Sequence, residues 1–189
     1  MYKGVKGVKS LMKTLKQPNP QFIWGQLQAA IDNPASPFRV LVLGTTAHEA
    51  PELRSVVLRE IDPDQWLVRI YTDLRSPKVL QVRNNPQVSL LFWDAQQKVQ
   101  LRAKGIATII DDVAYLKVRW DKISQGHTAN DYKGELAPSS ELDQPLEFVD
   151  RHWFGVIEIH VTSFDYLQLD RLGHQRWAVT NDSVTALVP

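Results

Sequence analysis

Cationic and hydroxyl side chains collect in one short stretch of the sequence, where they could bind an anion. Arg75, Ser76 and Lys78 stand at the start of a short helical pattern, directly after Tyr71 and Thr72 at the end of a strand-like run. A helix N-terminus presents free N–H groups and a partial positive charge, which favour anionic groups. For Ser76 alone, ordinary helix capping is the better interpretation. The whole set, with its arginine and lysine donors, predicts a phosphate site.

Two further arginines flank the strand-like run that precedes this set. Arg54 and Arg59 lie on either side of the sequence Ser55-Val56-Val57-Leu58. Because they are five positions apart, an ideal strand would point them to opposite faces of the sheet. Either a β-bulge intervenes or one of the two arginines serves a neighbouring site, and the spacing alone leaves both alternatives open.

Several common catalytic chemistries lack the residues that they need. The 189 residues include no cysteine, which excludes disulfides, thiolate metal sites, iron–sulfur clusters and a cysteine nucleophile. The sequence has no dinucleotide-binding glycine motif, P-loop, serine nucleophile elbow or zinc-protease motif. The five histidines are not paired at ligand spacing, and Glu158 with His160 provides only two ligands, so we predict no metal site.

The composition is that of a globular protein with nearly balanced charge. The chain has 22 basic and 21 acidic side chains, is 43% hydrophobic, and carries a formal net charge of +1. A wholly basic nucleic-acid surface is thereby excluded, and the longest apolar runs are too short for a membrane helix. We therefore expect neither nucleic acid nor a membrane as partner. Nothing in the sequence suggests secretion, and we expect a cytoplasmic location.

The N-terminal segment differs from the rest of the chain. The first 20 residues carry five lysines and no acidic residue, and apolar residues recur among the lysines at helical spacing. We predict a basic amphipathic arm at 1–18 that packs on the body or on a partner subunit, with contact to an anionic surface as the alternative. A single domain at 19–189 follows.

Closely spaced strand patterns with a few helices predict a barrel or a sandwich. The strand-like runs are 38–43, 53–61, 65–72, 88–93, 99–110, 153–161, 164–169, 176–180 and 184–188. Helical patterns cover 20–33, 77–84 and 111–124, the first two with Pro at the first helical position. We expect a polar turn at 45–51, an aperiodic polar segment at 125–144, and a bulge or sharp bend at Gly105.

The order of these motifs resembles a known family. R-S-V-V-L-R at 54–59, I-Y-T at 70–72, R-S-P-K at 75–78, N-N-P-Q-V-S-L-L-F at 84–92 and V-Q-L-R-A-K-G at 99–105 follow one another as in the FMN-binding split barrel of the pyridoxamine 5′-phosphate oxidases. The resemblance covers roughly 20–189, including Arg176-Trp177 and the C-terminal segment. The chain is more similar to the oxidase-related branch than to the vitamin-salvage enzyme itself.

The resemblance implies a fold, an assembly and a cofactor. The fold is mainly β (α+β), an antiparallel split β-barrel with a few flanking helices, assembled as a homodimer with FMN at the subunit interface. The residues implied around the phosphate and ribityl chain are Arg54, Arg59, Arg75, Ser76 and Lys78. Those implied along the flavin ring and its groove are Ser55, Val56, Val57, Leu58, Tyr71, Thr72, Gln100, Arg102, Ser139 and Leu167. Arg176 of the other subunit would contact the flavin and orient the substrate, which makes it the candidate catalytic residue.

Three departures from the family pattern affect these expectations. Pro77 stands where the family usually has an arginine, a charge that Arg75 could replace, and Leu167 stands where a flavin-facing tryptophan is expected. The segment 119–135 does not reproduce the family's tyrosine, arginine and serine grip on the substrate phosphate. The first two departures are compatible with FMN binding, whereas the third argues against pyridoxamine phosphate as the substrate.

The sequence thus favours an FMN-dependent oxidoreductase that acts on a small molecule by hydride transfer to the flavin. A second interpretation is an FMN-binding protein or flavin reductase without pyridoxamine phosphate oxidase activity. A third is a small barrel that binds single-stranded nucleic acid through the lysine arm and Trp66, Trp93 and Trp120. These tryptophans lie in apolar patterns, which favours core packing over base stacking.

Overall fold

A computed structural model describes residues 17–189 of the chain. The predicted basic arm falls outside these residues except at its last two positions, so it stays a prediction. None of the helices in the described part has both the length and the hydropathy needed to span a bilayer.

The described residues form eight β-strands, three α-helices and one short 3₁₀-helix. The strands are β1 (Val40–Ala47), β2 (Ala50–Asp62), β3 (Leu67–Asp73), β4 (Gln87–Asp94), β5 (Val99–Ile109), β6 (Phe154–Gln168), β7 (Gln175–Val179) and β8 (Val184–Leu187). The helices are α1 (Pro20–Asp32), α2 (Pro77–Asn84) and α3 (Val113–Ile123), and the 3₁₀-helix spans His127–Tyr132.

Six of the strands close into an antiparallel barrel. The sheet runs in the order β3-β2-β1-β4-β5-β6-β7-β8, and β3 also pairs with β6. The first half of β6, from Phe154 to His160, pairs with β3, while the second half, from Phe164 to Gln168, pairs with β7. The barrel therefore opens along this edge of β6, where β3 ends and β7 begins. This confirms the mainly β, antiparallel split barrel with flanking helices.

The barrel interior is filled by alternate residues of each strand. Along β5, Val99, Leu101, Ala103 and Ala107 are buried while the intervening side chains face outwards. The apolar face of α1 closes one part of this core, with Ile23 and Leu27 fully buried. Each buried Leu, Ile or Phe side chain of this kind contributes about 1.5–3 kcal/mol to folding.

Two sequence expectations about strand limits are wrong. The expected turn at 45–51 is a two-residue hairpin turn, because β1 and β2 stay paired as far as Ala47 and Ala50. His48 takes the left-handed backbone conformation that such a turn requires, with φ of 53°, although it is not a glycine. The runs 153–161 and 164–169 are one strand, since the pairing with β5 resumes at Ser163 after a one-residue bulge at Thr162.

The segment at 125–144, expected to be aperiodic, contributes to a second small core. Tyr132, at the end of the 3₁₀-helix, is buried together with Phe154 and Val156. Trp120 from α3 packs on this group and stacks on His152 with ring centroids 3.8 Å apart. The cluster fixes α3 and the 3₁₀-helix against the outer face of the barrel.

We predict that Gly105→Ala destabilises the barrel. The register between β5 and β6 shifts at Gly105, as the glycine suggested, and an added Cβ would lie 2.6 Å from the His160 carbonyl oxygen. The backbone must move to admit it, so urea denaturation should show a loss of about 1–3 kcal/mol. Gly25→Ala is the control, because its Cβ meets nothing within 4 Å. In an exposed position of α1 it should add about 0.5–1 kcal/mol; equal effects of the two substitutions would contradict the bulge argument.

Candidate cofactor site

The predicted anion cluster forms where β3 leads into α2. Thr72 is buried near the end of β3, Ser76 is buried at the position before α2, and Lys78 lies in the first turn of the helix. The Lys78 ammonium donates to the Ser76 hydroxyl at 2.6 Å and to the Thr72 hydroxyl at 3.3 Å. The Ser76 side chain makes no capping hydrogen bond to the helix. Its hydroxyl therefore belongs to the lysine cluster rather than to the helix end.

The charge of Lys78 has no carboxylate partner among the ion pairs of residues 17–189. Its ammonium is half-buried, and this burial lowers the pKa of Lys78. The nearby positive charge of Arg54 lowers this pKa further, while Asp73 acts in the opposite direction. Two neighbouring cations, one of them partly desolvated and unpaired, are stabilised by a bound anion.

A hydrogen-bond network holds Arg54 in place. Its guanidinium donates to the Glu52 carboxylate at 3.0 Å, to the Gln81 side-chain oxygen at 2.9 Å, and to the Thr45 hydroxyl. The Gln81 amide in turn donates to Glu52 at 2.9 Å, and Thr45 donates to Gln81 at 2.6 Å. The network ties the β1–β2 hairpin to α2, so it fixes the position of Arg54 relative to Lys78.

Arg75 has a different set of partners. Its guanidinium pairs with Asp73 at 2.7 Å, donates to the carbonyl oxygens of Gly134 and Glu135 at 2.9 Å each, and stacks on the Trp153 ring at 3.4 Å. These contacts fasten the turn after β3 to the 134–135 segment. The structure therefore does not join Arg75 to the Lys78 cluster, and its predicted phosphate contact gains no support from this geometry.

A β-bulge lies between the two predicted arginines of β2. The register with β3 shifts between Leu58 and Glu60, so Arg59 is the extra residue. Its guanidinium carbon lies 5.5 Å from the centre of the Tyr71 ring. The Tyr71 hydroxyl donates to Glu60 at 2.7 Å, and no hydrogen bond connects Tyr71 or Arg59 to Lys78 in the part of the chain that the structure describes. Arg54 and Arg59 therefore lie in different environments, Arg54 near Lys78 and Arg59 beside Tyr71.

The residues expected along the flavin ring share one row of the sheet. Gln100 of β5 lies opposite Leu167 of β6, which lies opposite Arg176 of β7. Directly opposed residues of a sheet project from the same face. Two residues further along β5, on the same face, Arg102 lies opposite Asp165, whose carboxylate accepts hydrogen bonds from both Arg102 and Arg176. Burial raises the pKa of Asp165, but these hydrogen bonds outweigh it and lower the pKa overall.

Arg54, predicted to contact the phosphate, and the row predicted to contact the flavin ring lie on opposite faces of the sheet. Arg54 is opposite Leu43, which is fully buried in the core, so it belongs to the inner face. The exposed Ser55, by contrast, shares its outward row with Val42, Leu91 and Arg102. Val57 also faces outwards, whereas Val56 and Leu58 pack on the core. A cavity of about 530 Å³ lies on the outer face, lined among others by Arg102, Lys104 and Arg176.

Ser139 occupies a strained turn. Its φ of 72° lies in the left-handed region, and the turn is closed by a hydrogen bond from Ser140 N to the Ala137 carbonyl oxygen at 3.1 Å. The side chain is exposed and makes no hydrogen bond within residues 17–189. Strain of this kind collects at functional sites, but the predicted contact between Ser139 and FMN stays a prediction.

A comparison with protein families finds a match to about the first half of the chain. Residues 21–111 match the family described as pyridoxamine 5′-phosphate oxidase, FMN-binding domain. This part of the chain is therefore similar to the FMN-binding domain of that family. The matched residues contain α1, β1 to β5 and the whole Lys78 cluster, so the match covers the part of the chain that carries the predicted phosphate site.

Relatives and solved structures agree with this assignment. The chain is 30% identical over 129 residues to a pyridoxine/pyridoxamine 5′-phosphate oxidase of Psychrobacter cryohalolentis, an alignment that covers 66% of this chain and 58% of the relative. It is 25% identical over 185 residues to an enzyme of the same name from Acaryochloris marina, covering 89% and 83%. The chain spans little more than half the length of the first relative.

The fold is that of a solved family member. The crystal structure of a pyridoxamine 5′-phosphate oxidase-related, FMN-binding protein from Nostoc punctiforme superposes with a TM-score of 0.68. The two share 22% sequence identity, with 87% of this chain and 96% of the other covered. At this identity the similarity shows the fold alone.

The donor set around Lys78 fits the phosphate of FMN, the cofactor of the family. It combines an unpaired ammonium, the hydroxyls of Ser76 and Thr72, and the nearby Arg54, which are the groups that bind phosphate monoesters in proteins. When bound, FMN supplies the capacity to accept a hydride from a substrate.

Sequence reasoning missed the residues that hold Arg54. Thr45 lies in the segment predicted as a polar turn, and Gln81 is not among the predicted site residues. Gln81 is buried between Val79 and Val82. A glutamine within an apolar helix face needs hydrogen-bond partners, and this was the available signal.

We predict that Gln81→Ala lowers the free energy of unfolding. The substitution removes the acceptor of Arg54 and Thr45 and a donor to Glu52, which leaves part-buried polar groups unsatisfied. A loss of about 1–3 kcal/mol is expected in urea denaturation. Gln28→Ala is the control, since Gln28 is an exposed helical glutamine, and it should change stability by less than about 0.5 kcal/mol. A loss no larger than that of the control would show that the network does not hold Arg54.

Proposed function

We propose that the protein is an FMN-dependent oxidoreductase that acts on a small molecule. The observation that carries this proposal is the half-buried Lys78 ammonium, which is bound by two hydroxyls, lies near Arg54 and lacks a carboxylate partner in the described residues. In a chain similar to the FMN-binding domain of that family, Lys78 would bind the cofactor phosphate. The Thr45–Glu52–Gln81 network would keep Arg54 in position beside it.

The proposal includes a homodimer with the cofactor at the subunit interface. It is supported by the two groups of predicted residues, which lie on opposite faces of one sheet. A cofactor held at its phosphate by one protomer would meet the outward row of Gln100, Leu167 and Arg176 most directly on a second protomer. The cavity on the outer face would then be completed by the partner.

Arg176 is the proposed catalytic residue. Its guanidinium is fixed by two hydrogen bonds of 2.7 and 3.1 Å to Asp165. Because Arg102 shares the same carboxylate, this part of the outer face keeps a net positive charge. A guanidinium held in this way can orient a polar or anionic group of a substrate without losing binding free energy to side-chain ordering.

A second candidate is an FMN-binding protein or flavin reductase without oxidase activity toward pyridoxamine phosphate. The observation that favours it is the engagement of Arg119, in the segment 119–135, with the chain's own Glu60 at 2.7 Å. Peroxide production with pyridoxamine or pyridoxine 5′-phosphate distinguishes the two candidates. The nucleic-acid interpretation loses support at Trp66, which is buried against Trp24 and Phe164, and at Trp120, which packs on the second small core. The expectation of core packing is wrong for Trp93, which is exposed.

We predict that Lys78→Met weakens FMN binding. The change removes the ammonium but keeps a chain of similar length, so the loss reports the phosphate contact. A charge-assisted hydrogen bond of about 1.5–3 kcal/mol corresponds to a rise in Kd of about 10- to 100-fold. The Kd is measured from the quenching of FMN fluorescence.

Arg83→Met is the matched control, since Arg83 is an exposed cation of the same helix. It removes the same charge from α2 away from the cluster and should leave the Kd within about twofold of the wild type, a change of less than about 0.5 kcal/mol. Equal affinities of the two variants would overturn the assignment of the phosphate site to Lys78.

A further inference from the structure

Four hydrogen bonds from three side chains converge on one carboxylate between α3 and the outer face of β2 and β3. Arg119 donates from Nε to Glu60 Oε1 at 2.8 Å and from Nη2 to Glu60 Oε2 at 2.7 Å. The Tyr71 hydroxyl donates to Oε1 at 2.7 Å, and the Tyr115 hydroxyl to Oε2 at 3.2 Å. We call Tyr71, Tyr115 and Arg119 the donor cage. Neither the cofactor cluster nor the outward row described above uses it.

The β-bulge at Arg59 puts Glu60 into this cage. In an uninterrupted strand Glu60 would project on the same face as Leu58, which is fully buried in the core. The bulge shifts the register, so that Glu60 lies opposite Arg69 on the outer face. Bulges commonly redirect a side chain in this way. Ile61 then packs against the core. The strand therefore continues to bury apolar side chains after the bulge.

The chemistry of the cage is that of an oxyanion site. A bidentate guanidinium and two hydroxyl groups all donate, and within residues 17–189 the acceptor that they share is the Glu60 carboxylate. Burial raises the pKa of Glu60, but the hydrogen bonds from Arg119, Tyr71 and Tyr115 outweigh it and lower the pKa overall. Burial and the Glu60 charge raise the pKa of Tyr115 to about 12, so its hydroxyl keeps its proton as a donor at neutral pH.

The cage has excess positive charge at its edge. Arg59 lies beside Tyr71, and no carboxylate pairs with it among the ion pairs of the described residues. Removal of the Glu60 charge would therefore leave Arg119 and Arg59 together with two hydroxyl donors, while the neighbouring Arg69 keeps Glu158 as its own partner. Such a set would bind phosphate or a carboxylate from solution.

We propose that Glu60 is a tethered anion that fills an oxyanion-binding cage and makes the protein reject phosphate- and carboxylate-bearing ligands there. A free oxyanion competes with a carboxylate that is covalently attached and already in place, so its apparent affinity is reduced. It would also leave Glu60 half-buried beside a second negative charge. Glu60 is thus a specificity-determining residue: it selects ligands that bring no phosphate or carboxylate to the donor cage. The inference concerns this chain's own residues and holds whether or not the proposed flavin activity is confirmed.

The test is a titration of the FMN-saturated protein with inorganic phosphate, followed by calorimetry. FMN occupies the Lys78 site, so phosphate uptake reports other sites. Glu60→Ala should bind phosphate at least tenfold more tightly than the wild type. The double substitution Glu60→Ala with Arg119→Gln should abolish the gain. The difference in phosphate affinity between the single and the double variant reports binding in the cage even if Lys78 does not bind FMN. A wrong assignment of the cage can therefore be distinguished from a wrong assignment of the function.

Glu158→Ala is the matched control. Glu158 pairs with Arg69 at 2.7 Å, and its side chain is 26% exposed against 24% for Glu60, but no tyrosine hydroxyl donates to it. Its loss should give no tenfold gain, because one guanidinium does not make a cage. Equal phosphate affinities of Glu60→Ala and the wild type, or a gain that survives Arg119→Gln, would overturn the proposal.

A Glu60→Gln variant covers the case in which Glu60→Ala does not fold, as judged by circular dichroism. The amide keeps the shape of the side chain but removes its charge, so phosphate should bind more tightly than to the wild type, though less tightly than to a folded Ala variant. A folded Glu60→Gln protein with unchanged phosphate affinity would equally overturn the proposal. A purely structural clamp between α3 and the sheet would change stability in these variants, not phosphate affinity.

Discussion

The pairing of β6 on both of its edges is the constraint on which the architecture depends. From Ile157 to Gln168 it pairs with β5 along one edge, with a bulge at Thr162, while β3 and β7 share the other. The closure by β3 makes a barrel with a filled interior, and the departure of β7 leaves an open outer face. An antiparallel sheet that closes in this way removes most of its free edges. The two faces that result separate the phosphate cluster from the row that contains Arg176.

Local irregularities then direct individual side chains. The bulge at Arg59 moves Glu60 to the outer face. The register shift between Lys104 and Gly105, where Thr162 is the extra residue of β6, lets β5 and β6 curve together. Both lie in long strands, where an uninterrupted register would accumulate mismatch with the curvature of a barrel. The charged groups of the outer face are placed by these shifts rather than by the mean strand direction.

The elements were predictable from the sequence where local chemistry sets them. The Asn19 side chain accepts a capping hydrogen bond from Phe22 N at 2.8 Å, and Pro20 and Pro77 begin their helices as expected. The prediction of a long turn between β1 and β2 was wrong because His48 adopts a left-handed conformation, which can be anticipated from sequence only where glycine or asparagine stands. The partners of Arg54 and Arg75 could not be predicted, since Gln81 and Glu135 are distant in sequence and meet these arginines only after the barrel closes. The cofactor of the family followed from the order of motifs, whereas the faces of the sheet followed only from the register.

The electrostatic arrangement leads to one decisive measurement. The arginines Arg69, Arg75, Arg119 and Arg176 each pair with a carboxylate, whereas Lys78 pairs with none in the described part of the chain. The most direct test is the visible absorption spectrum of the purified protein, with mass spectrometry of the ligand that it releases. We expect a flavin spectrum and FMN at one molecule per chain. A colourless protein that takes up no added FMN would contradict it.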